Sequence, residues 1–266
     1  MLLIRNKPIR LLLGTLETLN FLSLKLWLRN PARARAFAGR IFRNYMSLVG
    51  RDQWPCRSID EIFPQMTDNR IALEHLQGGG IFNPIDELAY LALITRNIRP
   101  RLVFEIGTFR GRTALNFALN SPPDCVVYTL DLAPEDKLQA KERLYAADAD
   151  VAQKSRPGID YQGKDVAPKI RQLYGDSTRF DFSPYYGKGD LIFIDGAHHY
   201  EAVYSDTQNA LKMLADGGAV VWHDFATYGD YNDVTRAVLD LLPADEVVQI
   251  DNSLLAIYRK PTRSRS

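Results

Sequence analysis

The sequence predicts an α/β domain built on a mostly parallel sheet. Apolar runs of strand length recur along the chain, helical patterns separate them, and most runs end in an acid or a glycine. The clearest run, residues 190–194, is continuously apolar after its first residue, which is typical of a strand buried on both faces. Ligands of such sheets bind at the carboxyl ends of the strands, so we expect the functional residues there.

Length and composition allow one sizeable hydrophobic core and one appendage. The chain has 266 residues, of which 46% are apolar and 24% are charged, as in a globular protein. The spacing of the two cysteines, Cys56 and Cys125, favours neither a disulfide framework nor a metal site. It fits a reducing compartment, so we expect a cytoplasmic protein.

The net charge of +1 hides an uneven distribution. Residues 1–50 contain nine Lys or Arg residues and one acid, Glu17, which leaves 24 basic and 31 acidic residues in the rest of the chain. Residues 11–28 carry apolar side chains on one side at helical spacing, which predicts an amphipathic helix. Glu17 and Lys25 interrupt the apolar run and disfavour a membrane span. Arginines among the small residues at 32–38 disfavour a signal peptide.

This basic helix has two candidate partners. Its apolar side could pack against the body of the protein or a second subunit, which we favour, or it could lie on an anionic membrane surface. Nucleic acid is not favoured as a partner, because few aromatic residues lie among the basic ones and the segment matches no known binding motif.

The chain divides into four segments on these patterns. Residues 1–50 form the basic helical extension, residues 51–83 a connecting or lid segment, residues 84–260 the main domain, and residues 261–266 a disordered tail. Within the main domain the patterns predict helices at residues 84–98 and 200–214, and strands at residues 103–106, 126–131, 169–174, 190–194, 219–224, 247–250 and 254–258.

A glycine turn follows the first of these strands. Gly107 and Gly111 would let a ligand approach the backbone closely, and the helix N-terminus that follows favours a carboxylate or phosphate. The spacing is not G-x-G-x-x-G, which argues against a nicotinamide-dependent oxidoreductase. Asp131 ends the next strand roughly 20 residues further on, where nucleotide-binding folds hold ribose hydroxyls. The alternative is that Asp131 caps a helix.

Three later strand ends carry further polar residues. Gly175-Asp176-Ser177 follows the third strand, Asp195-Gly-Ala-His198-His199 follows the fourth, and His223-Asp224 ends the fifth. An imidazole is suited to act as a general base, because its ordinary pKa lies near neutral pH. His198 is the first candidate for this role and His199 the second. The alternative is that either residue caps the following helix.

Taken together, these strand ends resemble the class I S-adenosylmethionine-dependent methyltransferases. The resemblance is greatest to the macrocin-type and catechol-type O-methyltransferases and the related cephalosporin hydroxylase-like proteins, and it covers residues 84–260. It rests on Glu105-Ile-Gly-Thr with Gly111, Asp131, Gly175-Asp176-Ser177, Asp195-Gly-Ala-His198 and His223-Asp224. It implies a Rossmann-like, doubly wound sheet of seven mostly parallel strands whose last strand is antiparallel.

The resemblance also implies contacts with S-adenosylmethionine. Glu105, Gly107 and Gly111 would line its methionine part, Asp131 would take the ribose hydroxyls, and Asp176 would meet the adenine amine. Thr108, Ser177 and Asp195 complete the candidate cofactor contacts.

Metal-dependent members of the family hold a divalent ion at two of these strand ends. The corresponding residues here are Asp195, His223 and Asp224. His223 departs from the family pattern. Magnesium prefers oxygen ligands, so an imidazole would point to manganese, iron or zinc, or to no metal at all. The alternative is that the two acids contact the cofactor or have a structural role.

The function implied by the resemblance is methyl transfer from S-adenosylmethionine to a hydroxyl group of a small molecule, such as a sugar or a natural product. Because a fold does not decide a reaction, three alternatives stay open. They are a nicotinamide-dependent oxidoreductase, a hydroxylase-like relative, and a non-catalytic membrane or assembly protein on the same fold.

Overall fold

The computed structural model describes residues 54–66, 70–76, 84–133, 136, 149, 156–226 and 231–262. All of them lie in the second of two units into which the chain divides, Met46–Ser266. The predicted basic helix at residues 11–28, with its membrane and oligomer alternatives, lies outside the described residues, as does most of the predicted tail. No helix in the described part of the chain is long and apolar enough to cross a membrane.

Helices and strands alternate along the main domain, as predicted. The helices are α1 (Ile59–Ile62), α2 (Ile85–Ile98), α3 (Arg112–Asn120), α4 (Tyr200–Met213) and α5 (Tyr231–Leu239). The strands are β1 (Cys56–Arg57), β2 (Leu102–Ile106), β3 (Val126–Asp131), β4 (Ile170–Tyr174), β5 (Gly189–Ile194), β6 (Leu214–Trp222), β7 (Val248–Ile250) and β8 (Ala256–Arg259).

These strands form one sheet in the order β1-β7-β8-β6-β5-β2-β3-β4. The pairs β2–β3, β2–β5, β3–β4 and β5–β6 are parallel, whereas β8 runs antiparallel to both β6 and β7. The structure confirms the predicted mostly parallel sheet with an antiparallel last strand. It adds an eighth strand, β1, at the edge.

The added strand comes from the predicted connecting segment. Cys56 pairs with Gln249 of β7 in parallel register, and the indole of the buried Trp54 donates a 2.9 Å hydrogen bond to Gln249 Oε1. The sheet therefore begins before the predicted domain boundary at residue 84.

A second part of that segment, residues 70–76, lies along α3. The side chain of Asn120 bonds both the N–H and the carbonyl of Ala72, at 2.9 and 2.8 Å. Asn116, one turn earlier, bonds the N–H and the carbonyl of Glu74 at 3.0 and 3.2 Å. Two helix side chains thus satisfy backbone groups that would otherwise need a neighbouring strand.

Helices cover both faces of the sheet. Val103 of β2 belongs to a buried cluster with side chains of α2 and α3, whereas the next residue, Phe104, belongs to a cluster with side chains of α4 and α5. Successive side chains of a strand point to opposite faces, so one apolar run supplies both cores. Full burial of each such side chain contributes about 1.5–3 kcal/mol.

Strand β6 begins earlier than predicted. Helix α4 ends at Met213 and β6 starts at Leu214, whereas the sequence predicted a helix to residue 214 and a strand from residue 219. A Cβ atom added at Gly218 would lie 2.7 Å from the carbonyl oxygen of Gly189. The absence of a side chain at Gly218 therefore permits close contact between β5 and β6.

The turn after β2 passes directly against the turn after β5. Gly107 has a φ of 104°, and a Cβ added there would lie 2.0 Å from the carbonyl oxygen of Asp195. The N–H of Gly107 donates to Leu130 of β3 (2.9 Å), and the N–H of Asp195 donates to Ile106 (2.8 Å). These two hydrogen bonds and the close approach of the two turns hold the ends of β2, β3 and β5 together.

A buried carboxyl group on α4 reaches another strand end. Asp206 is fully buried, and its Oδ2 atom accepts a 3.2 Å hydrogen bond from Ser177, which follows β4. Burial raises the pKa of Asp206 to about 7, because the charged form loses its hydration.

We expect Gly107→Ala to destabilise the protein more than Gly163→Ala. Both glycines have positive φ values, 104° and 74°, which cost a residue with a Cβ about 1–3 kcal/mol. No described atom lies within 4 Å of a Cβ at Gly163, whereas a Cβ at Gly107 would overlap the carbonyl of Asp195. Urea unfolding of both variants measures the two losses, and equal losses would contradict the close backbone contact.

We expect Asp206→Asn to gain stability relative to the wild type as pH rises. The pKa of Asp206 is about 7 in the folded protein against an ordinary 3.8, so the folded state holds a proton that the unfolded state releases between these values. Wild-type stability therefore falls with rising pH over that window. The expected relative gain is about 1–4 kcal/mol between about pH 4.5 and pH 8, at roughly 1.4 kcal/mol per pKa unit.

Urea unfolding at several pH values measures this gain. Asp181→Asn is the control, because the carboxylate of Asp181 is exposed and its neutralisation removes no buried charge. A difference between wild type and Asp206→Asn that does not change with pH would contradict the assignment.

Candidate active site at the carboxyl edge of the sheet

The structure brings the predicted site residues to one edge of the sheet. Strands β2 to β6 are parallel, so their carboxyl ends lie on the same side. In sheet order, the residues at this edge are Asp176 and Ser177 after β4, Asp131 at the end of β3, Glu105, Gly107, Thr108 and Gly111 on and after β2, Asp195, His198 and His199 after β5, and His223 and Asp224 after β6.

Glu105 is fully buried at the end of β2. Its Oε2 atom accepts a hydrogen bond from Thr129 of β3, and the hydroxyls of Thr129 and Thr108 are 2.7 Å apart. Its Oε1 atom has no hydrogen-bond partner among the described residues. Burial raises the pKa of Glu105 well above its ordinary value, because the charged form is dehydrated. A cationic ligand group would satisfy this oxygen.

Asp131 faces the glycine turn. Its Oδ2 atom accepts a 2.8 Å hydrogen bond from the N–H of Phe109, and its Oδ1 atom accepts one of 2.7 Å from the N–H of Leu132. Each carboxylate oxygen can accept a further bond. The turn ends at Gly111, the N-cap residue of α3 with a φ of 86°, so Asp131 and a helix N-terminus belong to the same turn.

The turn after β4 connects to Asp131 through the backbone. The N–H of Gly175 donates to the carbonyl of Asp131 at 2.9 Å. Asp176 Oδ1 accepts bonds from the N–H and the hydroxyl of Thr178, at 3.0 and 2.6 Å, and Ser177 donates to Asp206. Asp176 and Ser177, both candidate cofactor contacts, therefore take part in holding this turn in place.

Three side chains after β5 and β6 form a compact group. Asp195, His198 and Asp224 each offer one potential ligand atom, and these atoms lie within 4.8 Å of one another. His198 Nε2 lies 2.7 Å from Asp224 Oδ2, a hydrogen-bond distance. The geometry also allows a divalent ion to be held by two carboxylate oxygens and one imidazole.

The histidine of this group differs from the one in the predicted metal set. His223 Nε2 lies 2.9 Å from Oε2 of Glu87, a buried residue of α2, and His223 Nδ1 lies 2.8 Å from Asp224 Oδ2 and 3.4 Å from Asp195 Oδ1. Carboxylate oxygens therefore occupy the surroundings of both ring nitrogens. His198, rather than His223, stands with Asp195 and Asp224 as a potential ligand.

The charges of these residues depend on one another. Burial alone would lower the pKa of His223, but the carboxylates of Asp224, Asp195 and Glu87 raise it well above its ordinary value. Burial would likewise raise the pKa of Asp224, but the positive charge of His223 and the hydrogen bond from His198 lower it. A protonated His223 beside ionised Asp224 is therefore the favoured state.

His199 has a different position from His198. It is the N-cap residue of α4, and its carbonyl accepts bonds from the N–H groups of Ala202 and Val203 at 3.1 and 3.2 Å. Its side chain makes no capping hydrogen bond. The side-chain cap that the sequence allowed for a histidine here is therefore not formed by His199.

Sequence reasoning missed two residues near this edge, Glu87 and Asp206. Both are acids on helices whose other residues follow an amphipathic pattern, and both are buried, at 1% and 0% exposure. The available signal was a charged residue at a position of the helix that faces the core. A single sequence does not distinguish that position from the border of a solvated face.

Comparison with known proteins finds solved structures of low sequence identity and one family model. No curated protein matches the chain significantly in sequence. Among solved structures, the O-methyltransferase TomG from Streptomyces achromogenes, in complex with SAM, has 17% identity and a TM-score of 0.47, covering 79% of this chain and 98% of that chain. A putative caffeoyl-CoA O-methyltransferase from Staphylococcus aureus has 19% identity and a TM-score of 0.48, covering 83% and 99%. Cofactor-bound Rv0187 from MTB has 20% identity and a TM-score of 0.45, covering 86% and 88%.

These structural scores are too low to transfer any property to this chain. A family model described as a methyltransferase domain matches residues 104–225. That range runs from β2 to the residue after Asp224, so it contains every strand end of the candidate site. Over residues 104–225, the chain is therefore similar to a methyltransferase domain.

Proposed function

We propose that this domain transfers the methyl group of S-adenosylmethionine to a hydroxyl oxygen of a small-molecule acceptor. The observation that carries the proposal is the pair formed by His198 and Asp224, 2.7 Å apart at the carboxyl edge of the sheet. A hydroxyl oxygen becomes an effective nucleophile as its proton leaves, and an imidazole oriented by a carboxylate is suited to take that proton.

The strand ends around Glu105 fit the methyl donor. Bound S-adenosylmethionine supplies a methyl group on a positively charged sulfur. Glu105 Oε1, buried without a partner among the described residues, would accept a hydrogen bond from the ammonium of the methionine part. The N-terminus of α3 beyond Gly111 would favour its carboxylate, and Asp131 would accept bonds from the ribose hydroxyls.

His198 and Asp224 would handle the proton. His198 takes it from the acceptor hydroxyl, and Asp224, whose pKa is held below its ordinary value, stays ionised and stabilises the imidazolium that forms. The rest of the protein's task is to hold the two reactants in line and to exclude water. His199 is the second candidate for the base.

A divalent ion is an alternative occupant of the same group. The donor set of Asp195, His198 and Asp224 fits manganese, iron or zinc better than magnesium, because it includes an imidazole. Such an ion would lower the pKa of an acceptor hydroxyl. In that case His198 would be a ligand, and the base would be another group.

The family match does not support the other functions considered from the sequence. A nicotinamide-dependent oxidoreductase, a hydroxylase-like relative and a non-catalytic assembly protein have no observation in their favour beyond the fold. On sequence grounds alone, we further propose a cytoplasmic enzyme with catalytic residues between 84 and 260. Its basic segment, residues 1–50, would contact a second subunit or an anionic membrane surface.

We expect Asp131→Ala to weaken binding of S-adenosylmethionine about 10-fold to 100-fold, because a hydrogen bond to a charged group contributes about 1.5–3 kcal/mol. Calorimetric titration measures the affinity. Asp190→Ala is a matched control: Asp190 also accepts two backbone N–H bonds, from Arg101 and Leu102 at 2.7 and 3.0 Å, but at the amino end of its strand. Equal weakening in both variants would mean that Asp131 acts only through turn stability.

We expect His198→Gln to reduce methyl transfer about 100-fold to 10,000-fold, as the loss of a general base does, while affinity for S-adenosylmethionine stays unchanged. Release of S-adenosylhomocysteine in the presence of a panel of hydroxylated small molecules measures the rate. His75→Gln is the control, since His75 lies beside Asp160 and outside this group.

Two further arms separate the alternatives for His198. A large loss in His199→Gln with little change in His198→Gln would transfer the role of base to His199. A rate abolished by a chelator and restored by manganese would assign the group to a metal ion.

A further inference from the structure

Glu87 is a buried acid with both carboxylate oxygens engaged. It lies in the first turn of α2 at 1% exposure. Its Oε1 atom accepts a 2.9 Å hydrogen bond from the N–H of Leu254, and its Oε2 atom lies 2.9 Å from His223 Nε2. Burying a carboxylate is costly unless it is paired and hydrogen-bonded, so this arrangement needs both of its partners.

A continuous row of polar atoms connects Glu87 to the proposed base. On the far side of the His223 ring, Nδ1 lies 2.8 Å from Asp224 Oδ2, and the same oxygen lies 2.7 Å from His198 Nε2. An imidazole ring is rigid, so fixing Nε2 against Glu87 also fixes where Nδ1 meets Asp224. Contacts through the side chains of His223 and Asp224 thus connect Glu87 to His198.

Glu87 also holds the backbone on the other side of Asp224. Leu254, whose N–H binds Glu87, accepts a 2.9 Å hydrogen bond at its carbonyl from the N–H of Phe225. His223 and Phe225 flank Asp224 in sequence, so Glu87 constrains both neighbours of that residue.

This double constraint acts on a strained residue. Asp224 has a φ of 57°, in the left-handed region that costs a residue other than glycine about 1–3 kcal/mol. Such a conformation persists only where the surroundings impose it. Here the surroundings include the ring of His223 before Asp224 and the anchored backbone of Phe225 after it.

We propose that Glu87 is a positioning residue of the transfer reaction, which holds Asp224 in its left-handed conformation and thereby orients His198. The assignment rests on the proposed function of His198 as the base. Glu87 touches neither reactant and acts through His223 and Leu254.

Histidine side-chain NMR tests the proposal without knowledge of the acceptor. The chain has four histidines, so protein labelled with ¹⁵N in histidine gives four sets of ring signals, which single His→Gln variants assign. Glu87→Gln keeps the shape of the side chain and one acceptor for Leu254, but removes the carboxylate from His223. We expect it to shift the ring signals of His223 and also those of His198, while those of His75 stay unchanged.

Thr95→Val is the matched control. Thr95 is a fully buried polar residue on the same helix, and its hydroxyl donates to the carbonyl of Leu91 within that helix at 2.7 Å. Its replacement should leave all four sets of signals in place. A shift of His223 without a shift of His198 in Glu87→Gln would overturn the proposal, as would a shift of His198 in the control.

A second variant keeps the test decisive if Glu87→Gln does not fold. His223→Gln breaks the same connection from the other side and should shift the signals of His198, whereas unchanged signals would overturn the proposal. Calorimetric titration of the wild-type protein with S-adenosylmethionine tests the proposed function separately from the role of Glu87. Absence of binding would reject the proposed function, while the NMR result still decides whether Glu87 orients His198.

Discussion

The parallel pairing of β2 with β3 on one side and β5 on the other is the constraint on which the site depends. Because these strands share a direction, their carboxyl ends open at the same edge, and the turns that leave them lie side by side. The turns after β2 and β5 lie so close that a Cβ at Gly107 would overlap the carbonyl of Asp195. A side chain at Gly107 would force the turn after β2 and the turn after β5 apart.

Crowding acids at one edge has an electrostatic cost, which the protein meets in different ways. Glu105 has an oxygen that no described residue satisfies, which suits a site completed by a ligand. Asp206 holds its proton up to about neutral pH. Asp224 stays ionised because His223 supplies a compensating positive charge. Dehydration raises the free energy of a buried charge, so each of these acids must bind a partner or a proton.

Much of this arrangement could be predicted from sequence, because it depends on local patterns. Apolar periodicity gave the strand bounds closely enough to place Asp131 and Asp195 at strand ends, and parallel topology then puts strand ends together. Which of His198 and His223 stands with Asp195 and Asp224 as a potential metal ligand could not be predicted in this way. Both follow strands, and only tertiary contacts distinguish them, because His223 Nε2 lies 2.9 Å from Glu87 Oε2 on α2. Glu87 lies more than a hundred residues from His223 in sequence, and nothing local connects the two.

By itself, the sequence determined the fold class, the row of polar strand ends and the carboxylates suited to a nucleotide-like cofactor, because alternating and helical periodicities reflect burial residue by residue. Tertiary structure alone decided that Cys56–Arg57 completes the sheet, that His223 faces Glu87, and that His198 meets Asp224. These are contacts between segments distant in the chain. Their geometry depends on how helices pack across the two faces of the sheet, and the order of residues along the chain does not encode that packing locally.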